Sequence, residues 1–206
     1  MAPDDAYPAW ARDDDLVAAT AGDGAARVRV WRPDATEVVL GRGSHAAVEL
    51  DLDAVRTDGV AVRRRRGGGC AVVLDPGNVV VSLTLAAPGI GDNPRWFRTI
   101  TDWMVRSLAA LGHEGVRQAG ISDLVQGDRK VGGSALYRAK GLLYYSTTLL
   151  AAPDVDVIER WLRHPPREPD YRRGRPHRAF VAGLRPASDP AALAAALART
   201  LDPTQL

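Results

Sequence analysis

Cysteine is nearly missing from this 206-residue chain, which has one, and lysine is nearly missing too: of 27 lysines and arginines only Lys130 and Lys140 are lysine, which leaves 25 arginines. A lone Cys70 excludes an internal disulfide and any zinc site built on several cysteines. The four histidines (His45, His113, His164 and His177) lack ligand spacing, so no structural metal is expected. No apolar run is long enough to span a membrane, and the opening "MAPDDAYPAWARDDDLV" has early acids where an export signal needs a basic and then apolar series. A cytoplasmic location without membrane attachment is the expectation. A net charge of +2 also excludes the chain-wide basic field of a nonspecific nucleic-acid binder, and no nucleic-acid partner is expected.

What is present is one ordinary domain's worth of chain with 46% hydrophobic residues, enough to bury a core. Residues 1–25 are acidic and small with Pro3 and Pro8, and read as a loosely ordered lead-in with a short helix near 13–20; residues 26–206 read as a single domain. "ARVRVWRP" (26–33), "EVVLG" (37–41) and "VAVRR" (60–64) have strand character. "CAVVLD" and "NVVVSLTL" are β-branched runs split by "PG", which predicts a hairpin. From Asn93 the period changes to helical: Asn93 as cap, Pro94 in the first turn, Trp96, Ile100, Trp103 and Leu108 on one face, and Gly112 at the end.

Beyond that helix, "DLVQGDRKVGGSA" reads as strand, Gly-Asp turn, strand, and "GLLYYSTTLLA" as a buried strand. A helix over 156–163 is capped near Asp154, "RHPPREPDYRRGRPHRAF" (163–180) reads as an exposed loop, and "SDPAALAAALARTL" as a closing helix with Pro190 at its start. Strands on both sides of one central helix predict an α+β domain with a mixed, largely antiparallel sheet packed with helices.

The stretch "RRRRGGGC" (63–70) carries the sharpest chemical signal. Consecutive glycines let main chain approach a ligand closely, and their amides can surround an anion; arginines add bidentate contacts to phosphate or carboxylate. A surface hairpin with glycines where the turn needs them fits the same letters. No Gly-Lys-Ser/Thr follows, so it is not a P-loop, and no aromatic residues for base stacking are interleaved with it. Lys130 and Lys140 survive the arginine bias either by chance or because a compact ammonium is needed where a planar guanidinium does not serve.

Read together, "RRRRGGGCAVVLDPGN" and "SDLVQGDRKVGGSA" resemble the biotin and lipoate protein ligase family, in its lipoate ligase branch. Arg64 and Arg65 take that family's double-arginine place, Gly68 and Gly69 its first loop glycines, and Asp75, Gly77 and Asn78 its "DxGN". Lys130 takes the lysine place, followed by Gly133, Ser134 and Ala135, and Asp123 matches the acid of "NDL". The resemblance extends over most of residues 26–184. It implies a class II synthetase-like catalytic domain that activates lipoate or octanoate with ATP and magnesium as an acyl adenylate. The acyl group then passes to a lysine of a lipoyl carrier domain, such as a 2-oxoacid dehydrogenase E2, a glycine cleavage H protein or a related protein.

Under that resemblance Lys130 stabilises the charge built up on phosphate and carbonyl oxygen. Arg64, Arg65, Gly68, Gly69, Cys70, Ala71, Asp75, Asn78, Gly133, Ser134 and Ala135 surround the nucleotide and acyl adenylate, and Asp123 engages adenine or magnesium. The strand 78–85 lines an acyl slot, with core as the reading for most of its side chains. Three positions depart from the family: Gly67 where serine or threonine is usual, Cys70 for the third glycine, and Leu74 for histidine. Cys70 is either a small loop substituent or the nucleophile of an octanoyl or lipoyl transferase working from a carrier thioester, its pKa lowered by the neighbouring arginines. A non-catalytic nucleotide- or lipoyl-binding module is the remaining alternative. With the chain running only to Leu206, the expectation is a short form lacking the accessory C-terminal domain of larger lipoate ligases, with a separate accessory protein as possible partner.

Overall fold

The computed structural model describes residues 7–89 and 91–206. Among these residues nine strands form two sheets. The larger has the order β1 (Arg27–Trp31), β5 (Asn78–Ala86), β9 (Leu142–Leu150), β8 (Arg129–Ala139), β7 (Asp123–Gln126), β6 (Val116–Ala119), and every neighbouring pair is antiparallel. The smaller sets β2 (Glu37–Leu40) between β3 (Ala61–Arg64), parallel to it, and β4 (Val72–Leu74), antiparallel to it. The architecture is the mixed, largely antiparallel α+β domain that the alternation predicts.

Strand period decides what each face meets. Val79, Val81 and Leu83 of β5 point one way, into a core with Ile100, Met104 and Leu108 of helix α4 (Asn93–Ala110) and Leu197 of α7 (Pro190–Thr200). Val80 points the other way and packs on Val39 and Leu74 of the small sheet. Burial on both faces is why "NVVVSLTL" is nearly continuous in apolar and β-branched residues. A second core joins the small sheet to α5 (Val155–Trp161), Phe180 and Val181. Asp154 caps α5 through the amides of Asp156 and Val157, and Asp189 caps α7 through that of Ala192, as their sequences predict. In α4 the cap is Asp92, with Asn93 the first helical residue. The expected lead-in lies partly outside the described residues; its described part holds α1 (Asp14–Asp23), whose Thr20 hydroxyl meets that of Thr84 at 2.7 Å. No helix among the described residues is long and apolar enough to cross a membrane.

Two expectations are corrected. β4 and β5 are not a hairpin: they belong to different sheets, and the "PG" turn carries the chain from one to the other. Buried Asp75 holds the crossing, its carboxylate accepting from the amides of Gly77 (2.7 Å) and Asp154 (3.1 Å) and from Asn78 Nδ2 (3.1 Å). A Cβ on Gly77 would lie 1.8 Å from the Ala152 carbonyl oxygen. Nor is 163–180 simply an exposed loop. It contains a 3-10 turn at Asp170–Arg172 and a short helix α6 (His177–Phe180), and it buries Arg172, His177 and Phe180. The guanidinium of Arg172 lies 4.8 Å from the centre of the Phe180 ring and that of Arg175 5.3 Å, so charges that read as solvated cover an aromatic ring.

Two predictions follow from this packing. Gly77→Ala forces main chain apart where the two sheets meet and should lower unfolding stability by at least about 1–3 kcal/mol, the scale of overpacking a tight site, measured by urea denaturation. Burial, reinforced by Arg172 and opposed by Glu159, lowers the pKa of His177 from 6.5 to about 4. A histidine whose folded pKa lies below its unfolded one leaves more protons bound in the unfolded chain, so its contribution is complete above about pH 6.5 and lost as pH falls towards 4. The stability of His177→Asn should fall less steeply across that window than that of the parent chain; parallel curves would refute the assignment.

Candidate active site

A cavity of about 1010 Å³ lies over the large sheet, walled by the glycine loop on one side and by residues 165–181 on the other. Its floor follows from strand register: Val80, Thr148 and Gly133 stand side by side on β5, β9 and β8, and Ser146 and Ala135 form the next row. Of the apolar strand 78–85, Val80 reaches the cavity while the alternate residues fill the core, which matches the reading of that strand as mostly core.

Lys130 is the second residue of β8, and its Nζ lies 2.7 Å from Asp123 Oδ1 on β7. The other carboxylate oxygen of Asp123 accepts from Tyr171 Oη at 2.7 Å. Burial first, then the charge of Asp123, pushes the Tyr171 pKa far up, so the phenol stays protonated and donates. Gly133 gives the lysine room: a Cβ there would lie 3.0 Å from Nζ and 3.1 Å from Cε. Asp123 takes one of three ammonium donors, which leaves two for a ligand in the cavity.

The glycine loop is tied from behind. Arg65 donates to the carbonyls of Val39 (Nη1, 3.0 Å), Gly68 (Nη2, 2.8 Å) and Cys70 (Nη2, 2.8 Å), while Ser44 Oγ lies 3.2 Å from that of Gly69. Gly69 has φ +94°, which favours glycine. A peptide's amide points opposite to its carbonyl, and among the described residues the amides of Gly68, Gly69 and Cys70 donate to no protein acceptor. The arginines therefore differ from expectation. Arg65 borders the cavity with its guanidinium committed to carbonyls, and desolvation lowers its pKa to about 10. Arg64 Nη1 is spent on the carbonyls of Gly41 (2.8 Å) and Ser44 (2.9 Å), away from the cavity. Arginine builds this loop, and Arg65 and Arg66 border the cavity together with the glycines.

Gly68, Gly69, Cys70, Ala71, Asp123, Lys130, Gly133, Ser134 and Ala135 all border the cavity; Asp75 and Asn78 do not, being buried in the sheet-crossing turn. The Ser134 hydroxyl sits 2.6 Å from Tyr145 Oη and donates to Thr147 Oγ1 at 3.1 Å. The Cys70 thiol corrects another expectation: burial, with Glu49 adding to it, raises its pKa despite Arg167 and Lys130. Its Sγ donates to the Arg167 carbonyl at 3.8 Å, and a thiolate nucleophile is disfavoured.

Sequence reasoning missed three residues. Tyr171 was hidden in a stretch that reads as solvated. Asp13 and Tyr144 close one part of the cavity wall: buried Asp13 accepts from Tyr144 Oη (2.7 Å) and Ser82 Oγ (2.6 Å) and pairs with Arg29 (3.2 Å). No local pattern links positions so far apart in the chain.

Residues 5–201 match the family model for the lipoyl protein ligase A/B catalytic domain. A lipoate–protein ligase of Streptococcus pyogenes is 31% identical over 128 residues, which is 62% of this chain and 37% of that protein. The matched stretches span well under half the length of such curated relatives. The fold is shared with a crystal structure of lipoate-protein ligase A bound with ATP (TM-score 0.76, 24% identity, 92% of this chain and 76% of that one). It is shared equally with a bi-partite lipoate protein ligase from Thermoplasma acidophilum, described with its E2 lipoyl domain (TM-score 0.75, 24% identity, the same 92% and 76%). The matched span takes in both cavity loops and the Asp123–Lys130 pair, and the chain belongs to the lipoyl protein ligase A/B catalytic domain family.

Proposed function

We propose that this chain activates lipoate or octanoate with ATP and passes the acyl group to a lysine of a lipoyl carrier domain. The observation that carries this reading is the Lys130 ammonium in one cavity with the unpaired amides of Gly68, Gly69 and Cys70. In the first step a carboxylate oxygen attacks the α-phosphate, a new P–O bond forms, and pyrophosphate leaves with the electrons of the broken one. In the second, the carrier amine attacks the acyl carbonyl, loses a proton, and AMP leaves. Both steps place negative charge on oxygen, where a fixed ammonium and preset amide dipoles act without reorganisation.

ATP is the co-substrate, and the ATP-bound relative of like fold supports a nucleotide in this cavity. Magnesium finds no ready protein cage: among the described residues no three His, Cys, Asp or Glu are grouped for a metal, and Asp123 is committed to Lys130 and Tyr171. The ion is therefore assigned to the nucleotide phosphates, and no step is routed through it. A lipoyl carrier as acceptor is supported by the relative described with its E2 lipoyl domain.

The test is exchange of labelled pyrophosphate into ATP by purified protein with lipoate and magnesium. Lipoate-dependent exchange is expected; silence with lipoate and with octanoate, and with candidate accessory proteins added, would sink the reading. Lys130→Arg should fold normally yet lose about a hundredfold to a thousandfold in exchange rate, the usual loss for one well-placed donor to a developing oxyanion. The wider planar guanidinium has no place over Gly133. Lys140→Arg is the control, because Lys140 lies in the exposed turn between β8 and β9 and should be silent. Near-normal turnover by Lys130→Arg, with unchanged circular dichroism, would leave the fold without this mechanism.

A further inference from the structure

Glu49 closes the four-residue helix α2 (Ala46–Glu49), lies outside the cavity wall and is buried at 6% exposure. A buried carboxylate requires hydrogen bonds, and it has two strong ones: Oε2 accepts from the Ala71 amide at 2.5 Å and from Ser44 Oγ at 3.1 Å. Ala71 ends the glycine loop, and Ser44 also contacts the Gly69 carbonyl, so the carboxylate grips that loop directly and through Ser44. The main chain of the same residue grips the opposite wall. The Glu49 carbonyl accepts from the Arg163 amide at 2.9 Å, and Leu50 forms an isolated antiparallel bridge with Leu162, at the root of the segment that carries Arg167, Tyr171 and His177. At their far ends the two walls touch through Cys70 Sγ and the Arg167 carbonyl. Nothing else described anchors both walls within one residue.

We infer that Glu49 is a positioning residue that sets the two cavity walls relative to one another, and through them the cradle amides relative to Lys130. Its carboxylate fixes the Ala71 peptide, which follows the three amides without a protein partner, and its main chain fixes the root of the wall whose Tyr171 holds the partner of Lys130. The effect on catalysis rests on the proposed adenylation; the coupling of the walls does not.

Amide hydrogen exchange on Glu49→Ala and Glu49→Gln tests the coupling without any activity. In Glu49→Ala, exchange of the Ala71 amide and of the Arg163 amide, each bonded to Glu49, should speed up together by about tenfold or more, the scale of losing one charge-assisted hydrogen bond, while α4 and β5 keep their protection. Glu49→Gln keeps an acceptor for Ala71 and should fall between the two. Unchanged protection in both walls, acceleration of the glycine loop alone, or an even loss across the whole chain would overturn the inference. In the exchange reaction, the KM for ATP should rise in Glu49→Ala by about tenfold and return most of the way in Glu49→Gln. A parent chain silent in that reaction defeats the functional proposal and leaves the amide-exchange result to decide the role of Glu49.

Discussion

The site depends on a cation enclosed by carbonyl oxygens. A guanidinium has five donors and no acceptor, and Arg65 spends its donors on the main chain of β2 and of the glycine loop. The charge is nearly dry, which lowers its pKa to about 10, yet it stays ionised at neutral pH because each carbonyl dipole faces it and Glu49 lies near. A flexible run of glycines is thereby given one conformation. The carbonyls of 68 and 69 are held back by Arg65 and by contact with Ser44, so the amides of the same peptides, those of Gly69 and Cys70, point the other way, while the amide paired with the Cys70 carbonyl is that of Ala71, which donates to Glu49. The arginine that sets this conformation itself borders the cavity.

The opposite requirement holds at Lys130, where the charge must remain available. Gly132 and Gly133 sit in the middle of β8; a Cβ on Gly132 would lie 2.8 Å from the Thr148 carbonyl, and one on Gly133 would meet the lysine. Two residues without side chains let β9 pair closely and leave a shallow floor across which the lysine lies to reach Asp123. The bulge between Leu124 and Val125 shifts the β7 register at this point, so that Asp123 pairs with Gly133 while Val125 pairs with Lys130.

Local signals carried far where the structure is local. The hairpin of 123–139, the caps of α5 and α7, and the face of α4 that buries Ile100, Trp103 and Leu108 are all legible, because period, turn residues and caps lie within a few positions of what they determine. The "PG" turn misleads because it records only that the chain turns; its strands pair with β2 on one side and with β1 and β9 on the other, partners that no short window contains. The glycine loop reads from sequence as an element of the site, and it borders the cavity, but the work its arginines do is not legible. "RRRRGGG" reads the same whether arginine faces a phosphate or its own main chain, and only the closeness of Val39 and Glu49 decides it. Residues 163–180 misread for a related reason, since arginines stacked on Phe180 have the composition of a solvated loop.

Asp123 joins these parts. It is a carboxylate shared by an ammonium from the sheet, which pairs with one oxygen, and a phenol from the far wall, which donates a hydrogen bond to the other. Because Tyr171 reaches it from a segment packed through Phe180 onto the second core, the lysine's resting place is fixed by the same packing that seats that wall. A ligand entering the cavity meets Lys130, whose ammonium keeps donors beyond the one on Asp123, among further cations that border the same space, Arg65, Arg66, Arg117 and Arg167. A flexible ammonium stem can follow charge between neighbouring oxygens, whereas a guanidinium clamped by carbonyls, as at Arg65, cannot.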